Sequence, residues 1–106
     1  MSTSMQNNYD SIERLIYEEG LRIETIDFHP DLDLMLVVLN TKVALQHHIS
    51  AYKLLKSADP TALRQFELIG NGTGVHWPSL DEDLSLKGFL KDELKKIVSD
   101  PRIKAA

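Results

Sequence analysis

The dipeptide Asn71-Gly72 constrains the fold more than any other feature of this sequence. It lies between the segments FELIG and TGVHW, which supply the apolar residues expected of two short strands. Both central residues of a two-residue type I′ turn need a positive φ angle, which asparagine and glycine adopt readily. The sequence therefore predicts a tight β-hairpin. Its predicted cross-strand pairs are Phe66 with Trp77, Glu67 with His76, Leu68 with Val75, Ile69 with Gly74, and Gly70 with Thr73.

A C-terminal helix is predicted after this hairpin. Pro78 cannot donate a hydrogen bond to a sheet, so it ends the second strand. Ser85 is the predicted N-cap, and an alternative capping box, Ser79 with Glu82, would start the helix earlier. Asp100-Pro101 is expected to end the helix. The apolar stripe of this helix consists of Leu86, Leu90, Leu94 and Ile97, flanked by Phe89.

The segment before the hairpin predicts a three-stranded antiparallel meander. Its first strand is LRIETIDF, which is rich in residues that favour strands, and a turn follows around Pro30. The second strand is LMLVVL, Leu34–Leu39, and it is predicted to be buried on both faces because it lacks polar alternation. Asn40-Thr41 is the predicted turn into the third strand, KVALQ.

Short helices are predicted on both sides of the meander. Asp10 is expected to be the N-cap of a first helix, as part of a capping box, and Gly20 to end it. A second helical segment has Ser50 as its predicted cap. A third begins at Asp59-Pro60, where aspartate suits the N-cap and proline the first helical position, and continues to Phe66.

These elements predict an α+β fold: an antiparallel sheet, made of the meander and the hairpin, with helices packed against it and a C-terminal helix. A chain of 106 residues that is 42% hydrophobic suffices for one domain with its own core. We expect a single domain over residues 10–106, preceded by a disordered polar N-terminus over residues 1–9.

Composition excludes several classes of function. The chain has no cysteine, so disulfides, thiolate metal sites and cysteine nucleophiles are excluded. The apolar run Leu34–Leu39 is too short to span a membrane, and the N-terminus lacks the pattern of a secretory signal. We therefore expect a cytoplasmic protein. A net charge of −4 disfavours binding to nucleic acid. The exception is the segment Lys87–Lys104, where six basic residues stand against three acids.

The run GTGVHWPSLDEDLSLKGFL, residues 72–90, carries a resemblance to a known family. Together with the upstream segment ISAYKLLKSA, it resembles the small bacterial proteins grouped as domain of unknown function 2442, over most of Ile23–Leu94. The resemblance implies an α+β fold with an antiparallel sheet and no established activity. It also implies that some relatives carry a fused helix-turn-helix domain and others are encoded beside toxin-like small proteins. The N-terminal helix of this chain departs from the family pattern.

The acidic run Asp81, Glu82 and Asp83, close to His76, is the first candidate site. Converging carboxylates and an imidazole could bind a divalent cation or perform acid–base chemistry. Three consecutive acids point in different directions on a regular backbone, however, and acids before a helix also favour capping and the helix dipole. We therefore favour a structural role for this run, as the start of the C-terminal helix.

His76 and Trp77 each have two interpretations. His76 could act as an acid or base oriented by Glu67, or the Glu67–His76 pair could simply stabilise the sheet. Trp77 could be an exposed binding hot spot, or a core residue packed on Phe66. The structural interpretation is favoured for both residues. His47-His48 is a weaker candidate, because adjacent residues of a strand point to opposite faces.

The favoured function is a non-enzymatic protein–protein interaction module, with an antitoxin-like role as its sharpest form. We expect a protein partner or self-association, and no cofactor, bound metal, membrane or nucleotide. One alternative is a metal-binding protein or small enzyme that uses His76 with Asp81 and Asp83, and another is DNA binding through the basic C-terminal helix. The candidate binding surface consists of Asn71, His76, Trp77, Asp81, Glu82 and Asp83.

Overall fold

The computed structural model describes residues 8–99 and Arg102. The described residues form four α-helices and six β-strands, together with single turns of 3-10 helix. The strands come in two groups of three, and the two groups are separated by two short helices. The first half contains α1 (Ser11–Tyr17), β1 (Ile23–His29), β2 (Leu34–Leu39), β3 (Ala44–His48) and α2 (Lys53–Lys56). The second half contains α3 (Pro60–Arg64), β4 (Glu67–Ile69), β5 (Gly74–Trp77), β6 (Glu82–Ser85) and α4 (Leu86–Val98).

The first sheet is the predicted antiparallel meander, in the order β1-β2-β3. Its second turn is centred on Asn40-Thr41, as predicted, because the Lys42 N–H donates to the Leu39 carbonyl oxygen at 2.8 Å. The prediction that β2 is buried on both faces is wrong. Burial alternates along the strand: Met35 and its alternate residues are buried, while Leu34 and its alternate residues are only half-buried. Only one face of this sheet is therefore fully covered by the core.

The second sheet contains the predicted hairpin and a strand that was not predicted. Glu67, Leu68 and Ile69 pair with His76, Val75 and Gly74, so the predicted register is confirmed. The Thr73 N–H donates to the Gly70 carbonyl oxygen, and Asn71 and Gly72 have φ angles of 56° and 87°, as a type I′ turn requires. The strand β6 then pairs antiparallel with β5, which gives the order β4-β5-β6.

This third strand corrects the interpretation of the acidic run. The segment was predicted to start a helix, but Asp81 lies in a turn with a φ angle of 50°, and Glu82 and Asp83 begin β6. The alternative cap at Ser79 is therefore wrong. Ser85 is the N-cap of α4, as predicted, and its Oγ accepts a hydrogen bond from the Gly88 N–H at 2.9 Å.

Of the three other predicted N-caps, two are confirmed and one is wrong. Asp10 and Glu13 form the predicted capping box of α1. Asp59 caps α3 by accepting from the Ala62 N–H at 2.8 Å, although that helix ends before Phe66. Ser50 is not a cap, because its hydroxyl and its backbone N–H both donate to the Asp33 carboxylate.

The C-terminal helix buries only its first half. Leu86 and Phe89 are buried, and Leu90 packs against the core, whereas Leu94 and Ile97 are each 50% exposed. All four stripe residues lie in α4, as predicted, but the core covers only the first two of them. The predicted stop at Asp100-Pro101 lies outside the described residues, as do residues 1–7 of the predicted disordered N-terminus. None of the described helices is long and apolar enough to cross a membrane.

Both sheets contribute to one hydrophobic core. Trp77 on β5 is fully buried and packs edge-on against Phe28 of β1, with ring centroids 6.4 Å apart. The hairpin tip also contacts the first sheet, since a Cβ atom at Gly72 would lie 2.8 Å from the Ile23 carbonyl oxygen. Only a glycine allows this approach of the two backbones. The outer face of the second sheet, opposite Val75 and Trp77, is left toward solvent.

Candidate binding site

A row of polar side chains crosses the outer face of the second sheet. His76 is the central residue, because its register partners are Glu67 on β4 and Asp83 on β6. Directly opposed residues of antiparallel strands lie on the same face, about 5 Å apart between Cβ atoms. The imidazole is therefore flanked by a carboxylate on each neighbouring strand.

His76 and Asp83 form a short ion-pair contact. The His76 Nδ1 and the Asp83 Oδ1 are 2.5 Å apart, and the two side chains are 30% and 70% exposed. The hydrogen bond to Asp83 raises the pKa of His76, and the charge of Glu67 acts in the same direction more weakly. In the alternative that gave His76 a chemical role, Glu67 would orient this ring, but in the structure the contact is made by Asp83. The contact was missed because β6 was not predicted.

The other two acids of the run do not join this pair. Asp81 is exposed in the turn, and the Glu82 carboxylate accepts from the backbone N–H of Asp83 at 2.9 Å. Among residues 8–99, no three histidine, aspartate or glutamate side chains converge closely enough to hold a metal ion. The structure thus brings His76 into contact with Asp83, and Asp81 does not join them in a shared site.

The remaining candidate residues lie in different surroundings. Asn71 is exposed at the hairpin tip, where its positive φ angle serves the turn. Trp77 is fully buried, and its indole Nε1–H donates to the Leu63 carbonyl oxygen at 2.9 Å, so it is a core residue. In the basic helix, Lys87 contacts Asp10 and Glu13, and Lys96 contacts Glu93.

A cavity of about 180 Å³ opens beside Asp83 and was not predicted. It lies between β6, the first turns of α4 and the residue before α2, Tyr52. The Tyr52 hydroxyl donates to the Asp92 carboxylate at 2.8 Å. Burial and this hydrogen bond raise the pKa of Tyr52, so the phenol stays protonated and keeps donating. Residues lining the cavity include Tyr52, Asp83, Ser85, Gly88, Phe89 and Asp92.

His47 packs against Tyr52 and Phe89, two aromatic residues that line this cavity. It is 5% exposed, and its ring lies 5.4 Å from that of Phe89 and 6.3 Å from that of Tyr52, measured between centroids. Its Nε2 atom is buried and has no hydrogen-bond partner among the described residues. Burial, and then the charge of Lys96, lower the pKa of His47. This histidine is therefore neutral at neutral pH.

The exposed carboxylates of this surface can bind positively charged groups. The exposed carboxylates of Glu67 and Asp83 flank one imidazole, Asp81 is exposed in the turn before β6, and Asp83 also lines the cavity. Sequence reasoning located the acids but not their arrangement. One signal for the cavity was present in the sequence, since Gly88 interrupts the start of an otherwise helix-favouring segment.

The comparisons with known proteins agree with the fold and supply no activity. Residues 23–94 match the family described as "Protein of unknown function (DUF2442)". No functionally curated protein matches the sequence.

Two solved structures are similar to the chain. A crystal structure of a protein of unknown function from Rhodospirillum rubrum has a TM-score of 0.61 and 26% identity, covering 69% of this chain and 88% of that one. A solution NMR structure of an uncharacterised protein from Chromobacterium violaceum has a TM-score of 0.64 and 22% identity, covering 88% of this chain and 81% of that one. The second likeness bears on the fold alone.

Proposed function

This chain belongs to DUF2442, a family of proteins of unknown function, and we propose that it is a protein-binding module. The observation that carries the proposal is the row of Glu67, His76 and Asp83 across three paired strands. We call these three residues, with Asp81 in the turn before β6, the acidic surface; Glu82 pairs with the buried Trp77 and lies on the opposite face. The module acts by contact and needs no chemical step.

Two properties of this surface favour a binding role: its negative charge and the rigid sheet that carries it. The backbone of each strand is held by its neighbour, and the inner face below is anchored by the fully buried Val75 and Trp77. Side chains on such a sheet keep their positions before a partner arrives, which lowers the ordering cost of binding. A surface of one sign also steers an oppositely charged partner toward it. The expected partner is therefore a protein with a basic patch.

The sharpest form of the proposal is an antitoxin-like role. Its support is the gene neighbourhood that the family resemblance implies, in which relatives are encoded beside toxin-like small proteins. Co-expression with the product of the adjacent gene tests this form directly. Co-purification in a fixed ratio is the expected result, and separate elution of the two proteins would remove the antitoxin-like form.

Partner capture with matched variants tests the broader proposal. The test variant combines Glu67→Gln with Asp83→Asn, and the control, which also removes two charges, combines Glu18→Gln with Glu19→Gln just after α1. We expect one stoichiometric partner that wild type and control retain and that the test variant loses. Retention should also weaken as salt is raised, because exposed charges are screened. A partner bound equally by both variants, or no partner, would contradict the proposal.

A further inference from the structure

We propose that the cavity between β6 and α4 is a receptor for an arginine side chain of the protein partner. This inference rests on the proposed function and deepens it by naming the group that is recognised. The cavity adjoins the acidic surface, because Asp83 belongs to both. A partner docked on that surface can therefore place one side chain in the cavity.

The charge of the cavity selects a cation. Within the part of the chain that the structure describes, its lining includes Asp83 and Asp92 and no lysine, arginine or histidine. The positive end of the α4 dipole and the protonated form of His76, which pairs with Asp83, oppose a cation there. The dipole amounts to only about half a charge, so the two carboxylates still leave a net negative charge. A carboxylate has about four lone-pair positions, so both can accept bonds beyond those in the structure.

The carboxylates are fixed in place before any ligand arrives. The Tyr52 hydroxyl holds Asp92 at 2.8 Å, and the His76 imidazole holds Asp83 on its outer side at 2.5 Å. Two acceptors held in fixed positions suit the planar, forked guanidinium group better than the compact ammonium of lysine. Tyr52 and Phe89 also line the cavity, and because Phe89 is almost entirely buried, Tyr52 offers the aromatic ring on which a guanidinium group can stack.

Gly88 keeps this cavity open. It lies in the first turn of α4, where glycine costs helix stability relative to alanine. Among the described residues, a Cβ atom at this position would come within 4 Å of the Ser85 Oγ alone, at 3.2 Å, which is a tight contact with the N-cap of α4. Apart from this one hydroxyl, no described packing requires a glycine here. A larger residue at position 88 would take up space that the arginine needs.

The test uses a small probe in place of the unidentified partner. N-acetyl-arginine amide is titrated into the ¹⁵N-labelled protein, with N-acetyl-citrulline amide as its uncharged analogue. We expect saturable NMR shifts centred on the amides of Ser85, Gly88 and Asp92, with a dissociation constant on the order of millimolar, as a single side chain supplies. Citrulline should bind at least about tenfold more weakly, since it lacks the charge that the carboxylates recognise.

Variants localise the binding. Asp92→Asn keeps an acceptor for the Tyr52 hydroxyl and removes the charge, and Gly88→Ala narrows the cavity. Each should weaken the arginine titration at least about tenfold, while Glu18→Gln should leave it unchanged. Preserved amide dispersion shows that a variant is folded, and a variant that fails this check is replaced by Asp83→Asn. Absence of saturable shifts, equal binding of citrulline, or shifts that ignore these variants would overturn the inference.

The two proposals fail separately. If partner capture depends on the acidic surface but the arginine probe does not bind, the protein-binding function is supported and the cavity is not a receptor for arginine. If the probe binds at the cavity but no partner is captured, the cavity is a site for a small guanidinium compound and the protein-binding role is lost.

Discussion

The indole Nε1–H of Trp77 donates a 2.9 Å hydrogen bond to the backbone carbonyl oxygen of Leu63, inside the core. The bond joins β5 to the last turn of α3, and both side chains are almost entirely buried. The outer face of β5 presents His76, so the position of the acidic surface depends on this anchor. Trp77 thus supports the candidate site without being part of its surface.

Replacing Trp77 with phenylalanine should destabilise the protein strongly. The change leaves the Leu63 carbonyl without its partner and creates a cavity, which together cost roughly 2–4 kcal/mol. Urea unfolding followed by circular dichroism measures the loss. Leu68→Ala on the neighbouring strand is the control, because Leu68 is 38% exposed and should cost less. A loss under about 1 kcal/mol for Trp77→Phe would show that the anchor is dispensable.

Local features of the sequence predict the hairpin well, and the strand beside it poorly. The Asn71-Gly72 turn specifies its own register, so the partners of Glu67 and Leu68 follow from it. The segment Glu82–Ser85 has no residue that favours strands strongly, and pairing with β5 makes it a strand. The turn that allows this pairing has a positive φ angle at Asp81. Because this position is not a glycine, the sequence gives no signal for the turn.

The candidate site was predictable only where its residues are close in sequence. His76 and the acids lie within one short run, and their proximity was anticipated. The cavity depends on Tyr52 and Asp92, which are 40 positions apart and meet only because α4 packs beside the first sheet. Such a contact has no local periodicity or motif from which it could be inferred.

Gly72→Ala should be more damaging than Gly20→Ala. The two glycines have φ angles of 87° and 82°, so alanine is strained at both by about 1–2 kcal/mol. A Cβ atom at Gly20 would meet no atom of the described residues within 4 Å, whereas one at Gly72 would lie 2.8 Å from the Ile23 carbonyl oxygen. Gly72→Ala should therefore cost roughly 3 kcal/mol or more, since a backbone clash adds to the strain. Equal midpoints in urea for the two variants would show that the sheets do not meet at this point.

The pKa of His76 should lie above the ordinary value of about 6.5 and fall when Asp83 is neutralised. The contact with Asp83 favours the protonated imidazole, so Asp83→Asn removes the largest cause of the shift. NMR titration of the imidazole carbon-bound protons measures both values. Glu67→Gln is the matched control and should lower the pKa less, because Glu67 acts only through its charge. A pKa that is unchanged in Asp83→Asn would mean that the pair does not form in solution.

Stability should fall as the pH drops below about 6.5, because of His47. Burial lowers the pKa of His47 in the folded state, so the unfolded chain binds a proton at a higher pH than the folded chain does. His47 therefore contributes stability above the unfolded pKa and loses it as the pH falls toward the folded one. The slope from one such group reaches at most about 1.4 kcal/mol per pH unit.

The variant His47→Phe isolates this contribution. Phenylalanine keeps an aromatic ring beside Tyr52 and Phe89 but cannot titrate, and it removes the unpartnered Nε2 atom. Urea unfolding between pH 5 and 7 should therefore show a flatter pH dependence than wild type. His76→Gln should have the opposite effect: the raised pKa of His76 adds stability that is present below the unfolded pKa and lost as the pH rises through the folded one. The two contributions change on opposite sides of the unfolded pKa of about 6.5, so His76 does not mask the slope of His47. An equal slope below pH 6.5 in wild type and His47→Phe would show that His47 is not buried as a neutral ring.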